Sequence, residues 1–247
     1  MKIALIGFGK MGQEIANLAI ADGHEIVLKI NSENAAELTV SNLQKAEVAI
    51  EFSKPSLVES HIQICLAAGL PIVVGTTAWY ENYDKIAKEV QAQNGTLFHA
   101  TNFSIGVNLF WKITQTAAKI ISNYDYQVHI DEIHHTQKLD APSGTAITTA
   151  ELILQEMRSL SAWTNEIVTK NDLSIQNNSS NSNLLIRSVR EEHVPGTHTV
   201  VFENEIDQIS VSHIAHNRKG FAAGAIQAAK FISNKKGIFN MNDLLSL

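Results

Sequence analysis

Near the N-terminus stands Lys2-Ile3-Ala4-Leu5-Ile6-Gly7-Phe8-Gly9-Lys10-Met11-Gly12. The apolar run ending at Ile6 reads as a short strand. Met11, Ile15, Leu18 and Ala19 then recur at helical spacing until Gly23. Between them the glycines spell G-x-G-x-x-G. Gly7 makes the tight turn, Gly9 lets a pyrophosphate approach the backbone, and Gly12 lets the helix pack on the strand. Glycines also end strands for steric reasons alone. The strand, turn and helix setting makes dinucleotide binding through Gly7, Phe8, Gly9, Lys10, Met11 and Gly12 the stronger reading.

Working outward, residues 25–30 read as a second strand, and its end is where an acid would grip the adenine ribose. Asn31, Ser32 and Glu33 stand there instead. Without an acid a 2′-phosphate is not repelled, and Lys29 or Ser32 could meet one, so NADPH and NADH both remain as cofactors. Strands over 47–53, 71–74 and 96–100 alternate with helices over 55–68 and 80–93. Such alternation predicts an α/β fold with a Rossmann-type doubly wound parallel sheet. In such sheets ligands lie at the carboxyl ends of the strands. That is where Gly7, Phe52-Ser53, Gly75-Thr76-Thr77 and Ala100-Thr101-Asn102-Phe103 fall.

From Gly106 the pattern changes. A helix over 106–122 carries Leu109, Ile113, Ala117 and Ile120 on one face. Runs over 126–133, 184–190, 197–203 and 208–214 then predict a second, α+β domain with an open mixed sheet. An Asn/Ser-rich loop is expected over 171–183, and a helix over 220–233 that could return to the first domain. The division expected is residues 1–104 with 216–247 as dinucleotide-binding domain, and 105–215 as substrate-binding and oligomerisation domain. The chain crosses between them near Ser104 and Asn217, which permits domain closure. Arg218 could reach the cleft, but exposed hinge arginines are common and it is not counted in the site.

The second domain carries the densest chemistry of the chain, from His134 to Ala146, in the order His-His-Thr-Gln-Lys-Leu-Asp-Ala-Pro-Ser-Gly-Thr-Ala. Pro142 sets the turn and Ser143 is a good N-cap for a helix carrying Ile147, Leu152, Leu154 and Met157. The amides of Gly144 and Thr145 would then form a carboxylate or phosphate site at the positive helix end. His134 and His135 can exchange protons near neutrality, and Lys138 can pair with an anion. Adjacent histidines on a strand point to opposite faces, so at most one serves a cleft. No metal site is expected, since no third ligand sits at a zinc-like spacing.

The 247 residues carry a net charge of −6, which disfavours nucleic acid and acidic membranes as partners. The chain's one cysteine, Cys65, reads as a packing thiol. With neither a secretion signal at the N-terminus nor an apolar run of bilayer length, a cytoplasmic location is expected.

These blocks together resemble the dihydrodipicolinate reductase family, whose full name is 4-hydroxy-tetrahydrodipicolinate reductase. The segment from His134 to Ala146 looks like that family's signature nearly letter for letter. Gly7 to Gly12, Val74 to Thr77, Asn102 to Asn108 and Gly196-Thr197-His198-Thr199 follow in family order. The resemblance implies NADPH- or NADH-dependent reduction of a cyclic dicarboxylate in the diaminopimelate route to lysine. It implies His134 as acid/base group, Lys138 as its catalytic assistant, and His135, Ser143, Gly144 and Thr145 at the substrate. It further implies the Gly75–Thr77 and Ala100–Phe103 loops around the nicotinamide, and a homotetramer built through the mixed sheets. Asn31, Thr101 and a short segment after Asn31 depart from the family pattern and leave cofactor preference open. Two rivals are a semialdehyde dehydrogenase sharing the glycine fingerprint and a nucleotide-sensing protein without turnover.

Overall fold

The computed structural model describes residues 1–174, 182–217 and 219–247, and the chain divides into two units, residues 1–105 with 219–247 and residues 106–218. The first unit begins with β1 (Lys2–Ile6), α1 (Lys10–Ala21), β2 (Glu25–Ile30), α2 (Val40–Leu43) and β3 (Val48–Glu51). It continues with α3 (Val58–Ala67), β4 (Ile72–Val74), α4 (Tyr83–Ala92) and β5 (Thr96–His99). The second unit is built from α5 (Ile105–Ile121), β6 (Gln127–His134), α6 (Gly144–Glu156), β7 (Ala162–Ile167), β8 (Asn183–Arg190), β9 (Thr197–Glu203) and β10 (Gln208–Ile214). The chain then returns to the first unit with α7 (Lys219–Ile232), β11 (Gly237–Phe239) and α8 (Met241–Leu245).

The sheet of the first unit runs β11-β5-β4-β3-β1-β2, and every pairing is parallel. Its central strands are apolar on both faces because helices cover both. On one face Ile3, Leu5, Ile50 and Phe98 meet Ile15 and Ala19 of α1 and Ala225 and Ala229 of α7. On the other, Ala4, Ile6, Ile72 and Val74 meet Ile62 and Cys65 of α3 and Ile86 of α4. Cys65 is a buried packing thiol, as expected. The alanines of α7 let it lie close: a Cβ at Gly224 would stand 1.7 Å from the Phe103 carbonyl oxygen. The helices expected over 55–68 and 80–93 each open with a 3₁₀ turn, at Pro55–Leu57 and Tyr80–Asn82.

The sheet of the second unit runs β10-β9-β6-β8-β7, with β6 parallel to β8 and antiparallel to β9. Residues of α5 and α6 cover one face, packing on Val128, Ile130, Leu184, Ile186, Val200 and Phe202. The opposite face holds a polar group in which Arg187 donates to both carboxylate oxygens of Asp131, with His129 alongside. Strands β7 and β11 escaped the periodicity reading. Ala-Trp-Thr-Asn-Glu-Ile is a mostly exposed strand at the edge of its sheet, and β11 is three residues long.

The helix face expected for α5 needs correction. In α5 the buried stripe is Val107, Phe110, Thr114, Ala118 and Ile121, whereas Leu109, Ile113 and Ile120 are exposed. The helix is apolar on two sides, and the sheet accepts the side whose Thr114 and Ala118 allow close approach. In α6 the fully buried stripe is Ala146, Thr149, Ala150 and Ile153, with Ile147, Leu152 and Leu154 half-buried beside it. Of the expected loop over 171–183, the first residues continue a 3₁₀ helix (Lys170–Ser174). Residues 175–181 and Arg218 lie outside the described residues.

Candidate active site

Strand β6 alternates strictly, so Val128, Ile130, Glu132 and His134 face the helices. The first two build the core. The last two place a carboxylate and an imidazole on the buried face, where a charge is tolerated only with partners. Glu132 is fully buried and has them: its oxygens accept from the Ser143 amide at 3.1 and 3.2 Å and from the Ser188 hydroxyl at 2.7 Å. Arg190 Nη1 lies 3.6 Å away, His134 Nδ1 3.5 Å and His198 Nε2 3.8 Å. His198 comes from β9, directly opposite Glu132 in the strand register. Donor atoms of Glu132, His134 and His198 all lie within 4.8 Å, so the fold supplies the third group that spacing along the chain lacks. The carboxylate oxygens already accept from Ser143 and Ser188, which makes the cluster a hydrogen-bonded one.

His134 is 7% exposed. Burial holds its imidazole down to about 4; the Glu132 charge opposes this, and Lys138, Arg190 and His135 reinforce it. His198, against His134 and with His213 beyond it, is held by burial at about 3. Both rings are therefore neutral in the free protein at neutral pH. Gly196 leaves room for the proton-bearing ring, since a Cβ there would meet His134 Nε2 at 3.1 Å.

The loop after β6 carries Lys138, whose Nζ binds both carboxylate oxygens of Asp140 at 2.7 and 2.9 Å. That ammonium holds the Asp140 carboxyl below the usual range. Arg190 ties the loop to the buried cluster by donating to the carbonyls of Lys138 and Asp140. His135 begins the loop, and its carbonyl accepts the Lys138 amide. Ser143 caps α6 by accepting from the Ala146 amide, while its hydroxyl also meets His198 Nε2 at 3.1 Å. With its amide on Glu132, Ser143 is committed inside the protein and 3% exposed. Gly144, by contrast, is exposed with open space beside its Cα, and Thr145 follows it at the helix terminus. These two amides are the ones an anion would meet.

In the first unit the glycine turn has the shape a dinucleotide needs. Gly7 has φ of +96°, and a Cβ there would stand 2.0 Å from the Phe52 carbonyl oxygen. At Gly12 a Cβ would meet the Gly7 oxygen at 2.3 Å, so α1 starts hard against the turn. Gly9 has nothing within 4 Å of its would-be Cβ and caps α1 without a side chain, leaving backbone and space for a pyrophosphate. Phe8 and Lys10 border that space, Met11 packs on the core, and Lys29 lies over the Phe8 ring. The Asn31 side-chain oxygen accepts the amides of Glu33 and Asn34 and so shapes its own turn.

The neighbouring loops are interlocked. Thr76 accepts the Ser53 amide through its hydroxyl, and the Phe52 ring fills the place a Gly75 side chain would take. Thr77 and Thr101 are exposed at these strand ends. Asn102 accepts the Ser104 amide, and Ala100 is buried. Phe103, expected at the cofactor, turns its ring into the core against Phe52 and Phe98.

Comparison with known proteins gives both halves one origin. The family model for the N-terminus of dihydrodipicolinate reductase matches residues 1–103, and that for its C-terminus matches residues 106–245. The chain belongs to the dihydrodipicolinate reductase family. A 4-hydroxy-tetrahydrodipicolinate reductase of Christiangramia forsetii is 40% identical over 247 residues, covering 100% of this chain and 98% of that one. One from Thermosipho africanus is 34% identical, covering 99% and 98%. A dipicolinate-bound dihydrodipicolinate reductase from Paenisporosarcina shares the fold with a TM-score of 0.78 at 24% identity, covering 98% of each chain. The full-length match argues against the semialdehyde dehydrogenase and the sensor as alternatives, and the chain is an oxidoreductase of this family.

Within the reductase, the buried groups around His134 were missed by sequence reasoning. Glu132 carried a usable signal, an acid on the apolar phase of an alternating strand. His198 stood in the Gly196–Thr199 block without an assigned role, and Ser188 and Arg190 carried no signal, because strand pairing alone brings these three to β6.

Proposed function

We propose that this chain reduces 4-hydroxy-tetrahydrodipicolinate to tetrahydrodipicolinate, with His134 as proton donor and the start of α6 as carboxylate site. The observation that carries the reading is a buried imidazole together with a helix N-terminus at which Gly144 is exposed with open space beside it and Thr145 is half-buried. Loss of the 4-hydroxyl with a C3 proton, as water, leaves a C3=C4 double bond conjugated with the ring imine. Gly7 to Gly12 and the loops 75–77 and 100–103 would hold a nicotinamide nucleotide, whose chemistry would be hydride donation to C4 of that system. The resulting enamine is protonated at C3 by His134. Lys138 and His135 meet the second carboxylate, and Lys138 leaves Asp140 to do so. Ser143 serves from behind, holding the helix start rather than the ligand. Phe103 supports the cofactor loop through the core.

Absence of an acid at Asn31 and the nearby Lys29 and Lys10 favour acceptance of NADPH as well as NADH. A cytoplasmic location and a homotetramer assembled on the polar face of the mixed sheet accompany this reading. No helix among the described residues is long and apolar enough to cross a membrane.

The test follows cofactor absorbance with freshly generated 4-hydroxy-tetrahydrodipicolinate. His134→Gln and Lys138→Ala should each lose kcat by on the order of a hundredfold while binding NADPH as the parent does. Near-normal turnover in both variants would sink the assignment.

A further inference from the structure

His134 is useful as an acid only if its proton sits on the nitrogen that meets the substrate. Its Nδ1 is wholly buried and makes no hydrogen bond among the described residues. Its Nε2 has no acceptor among the described residues and is not among the buried atoms left unpartnered, so it is the nitrogen left to a ligand. The group facing Nδ1 is Glu132 Oε2 at 3.5 Å. That carboxylate is fixed independently of the histidine by the Ser143 amide, the Ser188 hydroxyl and the Arg190 guanidinium. A carboxylate behind the second nitrogen of an imidazole sets its tautomer and steadies the imidazolium.

We propose that Glu132 is the positioning residue of this reductase, fixing the His134 ring with Nδ1–H toward its carboxylate and Nε2 toward the substrate, and linking that ring to the carboxylate site through Ser143. The inference rests on His134 as proton donor. The same residue, Ser143, donates its amide to Glu132 and starts the helix whose next two amides meet the substrate carboxylate. Anion binding and proton placement are thus joined by one serine. Incoming carboxylates bring negative charge to a neutral imidazole, so the ring takes up its proton as the complex forms.

The charged and titratable groups facing His134 are Glu132 on its own strand, Lys138 and His135 in the following loop, Arg190 from β8 and His198 from β9, with His213 of β10 behind His198. Glu132 is the one among them that favours the protonated ring. Glu132→Gln keeps the side-chain shape and removes the charge. It should lower kcat on the order of tenfold and move the alkaline limb of the kcat profile to lower pH by about one unit. KM for the nucleotide should not change, and Glu132→Asp should bring the limb back. A loss equal at every pH, or an unmoved limb, overturns the proposal.

A measurement on the unmodified protein covers the case in which the variant does not fold. Nitrogen-15 NMR of labelled histidines, with His134→Gln for assignment, should show the free ring as the Nδ1–H tautomer. It should show protonation when pyridine-2,6-dicarboxylate is added with oxidised nucleotide. An Nε2–H tautomer in the free protein overturns the proposal. If His134→Gln itself turns over normally, the functional reading fails; if it is inactive while Glu132→Gln behaves like the parent, only the positioning role fails.

Discussion

At the scale of residues, the active-site cluster is a set of groups whose ordinary protonation has been shifted by burial. His134 and His198 titrate far lower in the fold than in an unfolded chain, so the unfolded chain binds more protons as pH falls through its own histidine range. The stability that comes from keeping these rings neutral is complete above about pH 6.5 and declines as pH drops toward their folded values near 4 and 3. Thermal melts should therefore show a falling midpoint between neutral and mildly acidic pH, and His198→Asn should flatten that fall. A midpoint independent of pH over this interval would contradict the neutral assignment. Gly196→Ala tests the space beside the ring. Its Cβ would press on His134 Nε2, and kcat should drop while nucleotide affinity stays as it is.

At the scale of elements, two helix contacts do different work. Ser143 both caps α6 and meets His198, so Ser143→Ala should destabilise the second unit by about 1 kcal/mol or somewhat more through the lost cap. It should also raise KM for the dicarboxylate, because the Gly144 and Thr145 amides lose their fixed start. Parent-like KM with reduced stability would restrict the serine to a structural role. In α7, Gly224 is needed for contact rather than for backbone freedom. An alanine there would drive into the Phe103 carbonyl, and since backbone cannot yield cheaply, about 1–3 kcal/mol of destabilisation is expected in denaturant melts.

At the scale of the whole molecule, one unit carries the nucleotide turn and the other the proton and carboxylate groups. Nucleotide binding should then stabilise the first unit by mass action, about 2.7 kcal/mol at a hundred times Kd. NADPH and NADH should both raise the melting midpoint of the chain, with the larger shift at equal concentration marking the tighter ligand. Gly7→Ala, which cannot hold φ of +96° without meeting the Phe52 carbonyl, should abolish both shifts. Retained stabilisation in that variant would remove the turn from the cofactor site.

How much of this was readable in the chain depends on the range of the forces involved. Local rules placed the strands, the glycine turn, the Ser143 cap and the His134 to Thr145 cluster, because strand alternation, capping and positive-φ glycines act over a few residues. The same rules misread α5, whose two apolar stripes are locally equivalent until a sheet chooses between them. They passed over β7 and β11, which are strands by virtue of their neighbours. They gave Ser143 as a helix cap, and the folded chain adds that its amide anchors Glu132; the ring of Phe103, at the end of its strand, lies in the core. The kinds of chemistry available were determined by sequence: a dinucleotide turn, a proton-transferring histidine and an anion-binding helix start. The tertiary structure alone decided that Glu132, Ser188, Arg190 and His198 surround that histidine. Ser188, Arg190 and His198 come from strands more than fifty residues away along the chain, and only hydrogen-bonded register brings them to within a few ångströms.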